Sequence, residues 1–307
     1  KPVRRQELYR ALAQAVGGAP VSDAAHPIAS TAMRIHGRVL MAEDNGVNQF
    51  VARNMLKSLG CEFEIVPNGA ECVAAAQRGG YDMILMDCQM PVMDGYEATR
   101  RIRAWEQTQG GAMRLPIVAL TANALVGDAD ICREAGMDDH LAKPYTRNQL
   151  GALMARWLPS HLVEGSVDAL RTHPAPLAAQ PPPAPKPADS EGALDAKALA
   201  AIREIDDAEG SVLAEVIGIF LDEAPQHLEA LRAALREQDG AELARAAHAF
   251  KSASGNVGAA RVAKLCREIE HTGRSGKVSD AVTLVQQIEQ QVDVVRPLLR
   301  DQIGQTA

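Results

Sequence analysis

The chain has 307 residues, 47% of them hydrophobic and 23% charged, which are the proportions of ordinary globular protein at a length that suits two domains better than one. Its net charge of −7, from 32 Lys and Arg against 39 Asp and Glu, excludes the basic footprint of a nucleic-acid or anionic-membrane binder. Five scattered cysteines (Cys61, Cys72, Cys88, Cys132, Cys266) form no C-x-x-C pair, which argues against a zinc site or a disulfide framework and fits a reducing, cytoplasmic compartment.

No run approaches the roughly 18 apolar residues of a membrane span, and no signal peptide opens the chain. The first residue is Lys rather than Met, so a piece of a longer protein is expected. Residues 17–34, with Gly17-Gly18, Pro20 and Pro27, show no clear period and read as a linker.

From there strand and helix signals alternate. Residues 38–42 are a short apolar run ending in Glu43-Asp44, and 47–59 follow at helical spacing with Gly60 at the stop position. A second strand is expected over 61–66, a helix over 70–77 closed by Gly79-Gly80, and a buried strand over 82–87. Helix 96–105, strand 115–120, helix 128–135 stopped by Gly136, short strand 140–142 and helix 149–158 complete five β-α units. That order predicts a doubly wound α/β fold, a five-stranded parallel sheet covered on both faces.

Residues 160–192 form a second break, centred on a proline run at 181–187 that favours extended chain at ~3 Å per residue. Beyond it no strand signal occurs. Segments 196–205, 212–236, 242–257, 261–270 and 282–299 read as amphipathic helices with short connections, which predicts an all-α antiparallel bundle. From Ala193 onward 13 Lys and Arg stand against 18 Asp and Glu, a net of −5 that opposes a DNA-reading output.

In parallel α/β sheets ligands bind at the carboxyl ends of the strands. Glu43 and Asp44 end the first strand, Asp87 the third, Thr121 the fourth and Lys143 the fifth. Singly, Asp44 suits a helix N-cap, Asp87 a strand-terminal turn, Thr121 a β-former and Lys143 a solvated surface position. Jointly they converge on one cleft. Three crowded carboxylates call for a hard cation such as Mg²⁺, and a lysine with a hydroxyl at the same rim complements a phosphoryl group, which makes the Asp87 carboxylate a plausible nucleophile. Dehalogenase-type phosphatases also place an aspartate after a hydrophobic strand, but with a second acid two positions on; Gln89 stands there and cannot protonate a leaving group.

The segment Met83-Ile84-Leu85-Met86-Asp87-Cys88-Gln89-Met90-Pro91-Val92-Met93-Asp94-Gly95 resembles the phosphorylation-site segment of two-component receiver domains. Ala119-Leu120-Thr121-Ala122-Asn123-Ala124 resembles the receiver switch segment, and Lys143-Pro144 its lysine-proline pair. The resemblance covers 36–160 and implies a flavodoxin-like receiver. In it Asp87 is the phosphoacceptor, and Mg²⁺ is held by Glu43, Asp44, Asp87 and the backbone carbonyl of Gln89. Thr121 and Lys143 contact the phosphoryl group. One departure stands out: His140 occupies the position, three before the lysine, where many receivers carry Tyr or Phe as a switch.

In the helical block Leu243, Phe250 and Val257 recur every seven residues as a buried stripe. His248 lies off that stripe, with Ala241, Ala244, Ser252 and Gly255 near its face, so an exposed imidazole that a partner can approach is expected. Lys251 sits within one turn and can offset negative charge on the ring. The pattern His248-x-x-Lys251-x-x-Ser254-x-x-x-Gly258, continuing to Leu265-Cys266-x-x-Ile269-Glu270, resembles the histidine-phosphotransfer domain over 193–305. That implies a four-helix bundle with His248 as phosphoacceptor. His227, His271 and His161 lack the small-residue surround and read as ordinary surface or partly buried residues.

The start of the chain, Lys1-Pro2-Val3-Arg4-Arg5-Gln6-Glu7-Leu8, parallels Lys143-Pro144-Tyr145-Thr146-Arg147-Asn148-Gln149-Leu150 and resembles the end of an earlier receiver-like domain; an amphipathic leader is the alternative. The expected organisation is therefore a remnant over 1–16, linker 17–35, receiver 36–160, linker 161–192 and histidine-phosphotransfer domain 193–307. The resemblance implies the C-terminal part of a hybrid sensor histidine kinase. Its partners would be a histidine kinase transmitter domain, in the same or another chain, and a downstream response-regulator receiver, with no nucleic acid. This stretch would be cytoplasmic even where the full protein is anchored in the inner membrane. No glycine-rich ATP-binding pattern occurs, so phosphotransfer without ATP consumption is expected. A non-catalytic adaptor with the same two domains is the alternative.

Overall fold

The computed structural model describes residues 35–110, 114–121, 126–158, 194–206 and 211–304. The expected remnant at 1–16, all but the last residue of the linker 17–35, the proline-rich linker 161–192, His161 and the Ala122-Asn123-Ala124 end of the switch segment lie outside the described residues.

The first block is a five-stranded parallel sheet in the order β2-β1-β3-β4-β5. Its strands are β1 Arg38–Ala42, β2 Glu62–Val66, β3 Met83–Asp87, β4 Ile117–Thr121 and β5 Asp139–Ala142. Its helices are α1 Gly46–Leu59, α2 Gly69–Arg78, α3 Gly95–Thr108, α4 Val126–Ala135 and α5 Arg147–Trp157. Because side chains alternate along a strand, each central strand feeds two cores. Val39, Met41, Met83, Leu85, Val118 and Leu120 pack with α1 and α5. Leu40, Ala42, Ile84, Met86, Ile117 and Ala119 pack with α2, α3 and Cys132 of α4. Each fully buried Val, Leu, Ile or Met among them contributes about 1.5–3 kcal/mol. Ile35, counted with the linker on sequence, is fully buried in the first of these cores, and its N–H bonds the Leu59 carbonyl at 2.8 Å.

The helix ends explain the sequence signals. Asn45, Asn68, Asp94 and Thr146 accept from backbone N–H groups as N-caps of α1, α2, α3 and α5. Gly60 ends α1 in the left-handed region at φ 85°. Arg103 of α3 ties the far edge together: it donates to Glu106, Asp138 and the carbonyls of Leu115 and Gly136, with only 10% of its side chain exposed.

Among the described residues the second block has helices and no strand: α6 Ala196–Arg203, α7 Ser211–Glu237, α8 Gly240–Asn256, α9 Ala260–Arg274 and α10 Ala281–Gly304. The four long helices enclose Phe220, Phe250, Ile269, Ile288 and Val292. The short α6 lies by the α8–α9 turn, where the Asp195 N–H bonds the Gly258 carbonyl at 2.7 Å. Gly258 has φ +74°, and a Cβ there would fall 2.7 Å from the Asp195 carbonyl oxygen, which is the physical content of the glycine that closes the His248 pattern.

The β3–α3 loop carries a strained residue at its tip. Val92 is 87% exposed at φ 68°, where a β-branched residue is costly. Val92→Asn, which tolerates this region, is expected to stabilise the chain by about 1 kcal/mol in urea unfolding, and an unchanged or lower midpoint would contradict the assignment of strain.

Candidate active site

The strand register places the predicted site residues along one edge of the sheet. Asp87 pairs with Leu120, so Thr121 stands one residue further along the neighbouring strand, and Thr121 pairs with Ala142, immediately before Lys143. The Lys143 N–H bonds the Thr121 carbonyl at 2.7 Å. Lys143 Nζ lies 2.6 Å from Asp87 Oδ2 and also donates to Glu43 Oε2. Carboxylate oxygens of Glu43, Asp44 and Asp87 all fall within 4.8 Å of one another. That donor set, all hard oxygen, fits a small divalent cation. Asn45 rather than Asp44 caps α1, which leaves the Asp44 carboxylate to the pocket. The Gln89 N–H donates to Asp87 Oδ1 at 3.2 Å.

The electrostatics follow from burial against charge. Burial pushes the Glu43 carboxyl up to about 8; the Asp87 charge adds to this and Lys143 opposes it. Burial, with the Asp87 charge second, pushes Asp44 up to about 6. Burial works against the Lys143 ammonium, but Asp87 and Glu43 together outweigh it and hold its pKa above the usual lysine value. Gly95 makes room behind the acceptor, since a Cβ there would sit 2.1 Å from the Asp87 carbonyl oxygen.

The second predicted centre lies on α8. His248 Nδ1 is 3.1 Å from Glu270 Oε1 of α9, and Lys251 Nζ donates to Glu270 Oε2. Arg274 also donates to the Glu270 carboxylate. Burial alone would raise the pKa of Glu270; the hydrogen bond with His248 and the charge of Lys251 reverse this and hold it at about 2. The exposed imidazole expected from sequence is not found: His248 is 5% exposed and Lys251 9%. Glu270 draws both side chains toward α9, and the same stretch of α8 meets the sheet domain. Asn45 Nδ2 donates to the Ala249 carbonyl at 3.4 Å, Asn48 Nδ2 to Ser252 Oγ at 2.9 Å and Asn256 Nδ2 to Asn48 Oδ1 at 2.6 Å. A cavity of about 100 Å³ remains between the two blocks, lined by Asn48, Lys143, Tyr145, Lys251, Ser252 and Arg267 among others.

Residues 39–155 match the family described as response regulator receiver domain, and residues 215–297 match the Hpt domain family. The chain carries a receiver domain and an Hpt domain. These are domains of two-component phosphorelays. Over 275 residues the chain is 32% identical to the sensor protein GacS of Pseudomonas syringae pv. syringae, covering 88% of this chain and 28% of that one. It is 36% identical over 143 residues to histidine kinase 5 of Arabidopsis thaliana, covering 39% and 16%. The chain thus spans less than a third of the length of these curated relatives. The receiver domain of sensor histidine kinase PA1611 from Pseudomonas aeruginosa, a crystal structure with a magnesium ion in its cleft, is 50% identical, with a TM-score of 0.37 covering 40% of this chain and 98% of that one.

Within the receiver domain, Glu43, Asp44, Asp87 and Lys143 meet as the sequence led one to expect, and Thr121 lies at the same edge, 2% exposed. His140 is exposed on β5, its backbone paired with Ala119. Within the Hpt domain Ala244 is 8% exposed and packs against Gly273 of α9 rather than lining an open face, whereas Ser252 and Gly255 do face the cavity. His227 is partly buried and stacks on Phe250 with centroids 4.9 Å apart, and burial lowers its pKa to about 4. His271 is exposed. Two residues carry more than their sequence signal suggested. Glu270 was visible only as the last letter of the Hpt pattern, and Asn48 gave no signal beyond a polar position on α1. No helix among the described residues is long and apolar enough to cross a membrane.

Proposed function

We propose that Asp87 takes a phosphoryl group from a phosphohistidine and that His248 carries phosphate to or from the aspartate of a response regulator. The observation that carries this reading is the seat of Lys143, whose ammonium bridges the buried Glu43 and Asp87 carboxylates at the carboxyl end of the sheet. An Asp87 oxygen attacks phosphorus, a P–O bond forms, and the P–N bond breaks with its electron pair returning to the donor imidazole. Lys143 and the Thr121 hydroxyl bind the equatorial oxygens and oppose the charge gathering there. A Mg²⁺ ion held by Glu43, Asp44, Asp87 and the Gln89 carbonyl would supply further charge neutralisation. On the Hpt domain Glu270 accepts from His248 Nδ1, so that Nε2 is the nitrogen left to attack an aspartyl phosphate. Lys251, one turn on, faces the same carboxylate and stands ready for the phosphoryl charge.

The same reading assigns residues 36–160 and 193–307 to the two phosphoacceptor domains of a hybrid sensor histidine kinase, with a proline-rich tether keeping them at an effective concentration on the order of mM. Its transmitter domain would be the donor and a separate response regulator the acceptor. The kinase relatives support this.

Incubation with acetyl phosphate and Mg²⁺ is expected to give alkali-labile label on the receiver and alkali-stable, acid-labile label on the Hpt domain. Asp87→Asn should lose both, because the label on His248 arrives through Asp87, and His248→Gln only the second. Alkali-stable label persisting in His248→Gln would sink the site assignment, and a folded wild-type chain that takes no label from acetyl phosphate or a phosphorylated transmitter would favour the adaptor.

A further inference from the structure

We propose that Asn48 is a positioning residue that couples docking of the Hpt domain to the geometry of the acidic pocket, so that a divalent cation and the Hpt domain bind the receiver cooperatively. The proposal rests on the reading of Glu43, Asp44 and Asp87 as a cation site. Asn48 is 5% exposed, and its carboxamide uses both donors and one of its two acceptor positions. Nδ2 donates to Glu43 Oε1 at 2.6 Å and to Ser252 Oγ at 2.9 Å, while Oδ1 accepts from Asn256 Nδ2 at 2.6 Å. One partner is a pocket ligand; the other two belong to α8, the helix that bears His248.

An amide is close to symmetric in shape, and its neighbours decide which end points where. The Glu43 carboxylate takes the N–H end, and Asn256 and Ser252 clamp the amide from the Hpt side, so α8 holds in place the group that bonds Glu43. With Oε2 already held by Lys143, that N–H fixes the plane of the Glu43 carboxylate. A ligand whose orientation is set beforehand loses less freedom when the cation arrives. Without docking the amide keeps its bond to Glu43 but loses both partners on α8, so the carboxylate is held by a side chain that is itself free to swing. Other contacts reinforce the same spot. Glu223 of α7 accepts from the Val47 N–H in the first turn of α1, which has no acidic residue of its own, and the charge of Arg245 on α8 acts on Asp44. Docking therefore converges on the residues that immediately follow Glu43 and Asp44. By linkage, whatever factor docking adds to cation affinity, the cation adds to docking.

The test is calorimetric titration of the full chain with Mg²⁺. The Ser252→Ala/Asn256→Ala variant is expected to bind about fivefold more weakly than wild type, although neither residue belongs to the pocket. In an Asn48→Ala background the same two substitutions should change nothing further. Asn256→Asp, which keeps the size but removes the donor, should reproduce the loss if the double variant fails to fold by circular dichroism. Affinity within twofold of wild type in the α8 variants, an α8 effect undiminished by Asn48→Ala, or no Mg²⁺ binding to the wild-type chain overturns the proposal. Labelling of Asp87 without this coupling defeats the coupling alone; coupling without labelling defeats the relay alone.

Discussion

Lys143→Met is expected to slow phosphorylation of Asp87 by two orders of magnitude or more and to destabilise the metal-free receiver by about 3–5 kcal/mol. Methionine fills much the same space, so the loss is electrostatic. In the folded chain Glu43 is fully buried and Asp87 3% exposed, and Lys143 is the cation that hydrogen-bonds both. Removing it leaves two carboxyl groups facing one another in low dielectric, of which Glu43 must then hold a proton and Asp87 loses its charge partner, and breaking a buried pair from one side costs far more than such a pair contributes when intact. Urea unfolding with and without Mg²⁺ separates the two effects: the ion should restore part of the stability, since it replaces one positive charge by another, but little of the rate, because the lysine contact to the transferring group stays absent. A variant that unfolds at the wild-type midpoint without Mg²⁺, or accepts phosphate at the wild-type rate, would contradict the geometry.

Glu270→Ala should lower the stability of the Hpt domain by about 3–5 kcal/mol, a fall in Tm of roughly 10–20 °C. It strips the partner from Lys251, Arg274 and the ring of His248 at once, and two of these three are buried. Glu270→Gln keeps an oxygen for His248 Nδ1 and should retain phosphate on His248 while losing most of the ion-pair contribution. The pH dependence has a definite sign. Glu270 ionises at about 2 in the folded chain against a reference of 4.5, so its contribution is complete above pH 4.5 and disappears as pH falls through about 2. Acid unfolding followed by circular dichroism should thus be shallower in Glu270→Gln over that window; equal slopes would show that the carboxylate does not carry the effect.

The α/β units were legible because parallel strands buried on both faces leave continuous apolar runs, and because Gly60 and Gly136 mark helix ends with a residue suited to positive φ. The pocket was legible for the same reason: a known strand end is a known position in space. Asp44 shows how narrow the margin is. On sequence it suits an N-cap, and only the shift of the cap to Asn45 frees it. What stayed hidden are contacts made between elements distant in sequence. His248 stands 22 positions before Glu270, and the amphipathic period of α8 says which residues leave the bundle core, not which of them a neighbouring helix or the receiver then covers. The Arg103 network escaped likewise, because a single arginine amid charged neighbours reads as a solvated helix face until Asp138 and two carbonyls are folded against it.

Gly95 donates its N–H to the Cys88 carbonyl at 3.2 Å and has no Cβ to push against the backbone of Asp87. The intervening excursion therefore leaves and rejoins the sheet at nearly one point, like a loop of string pinched at its neck. Its tip, with Val92 standing in solvent, can change side chain while the pinch holds the aspartate still. Variation for new neighbours is thereby confined to the tip, and the acceptor keeps its place through an absence of atoms.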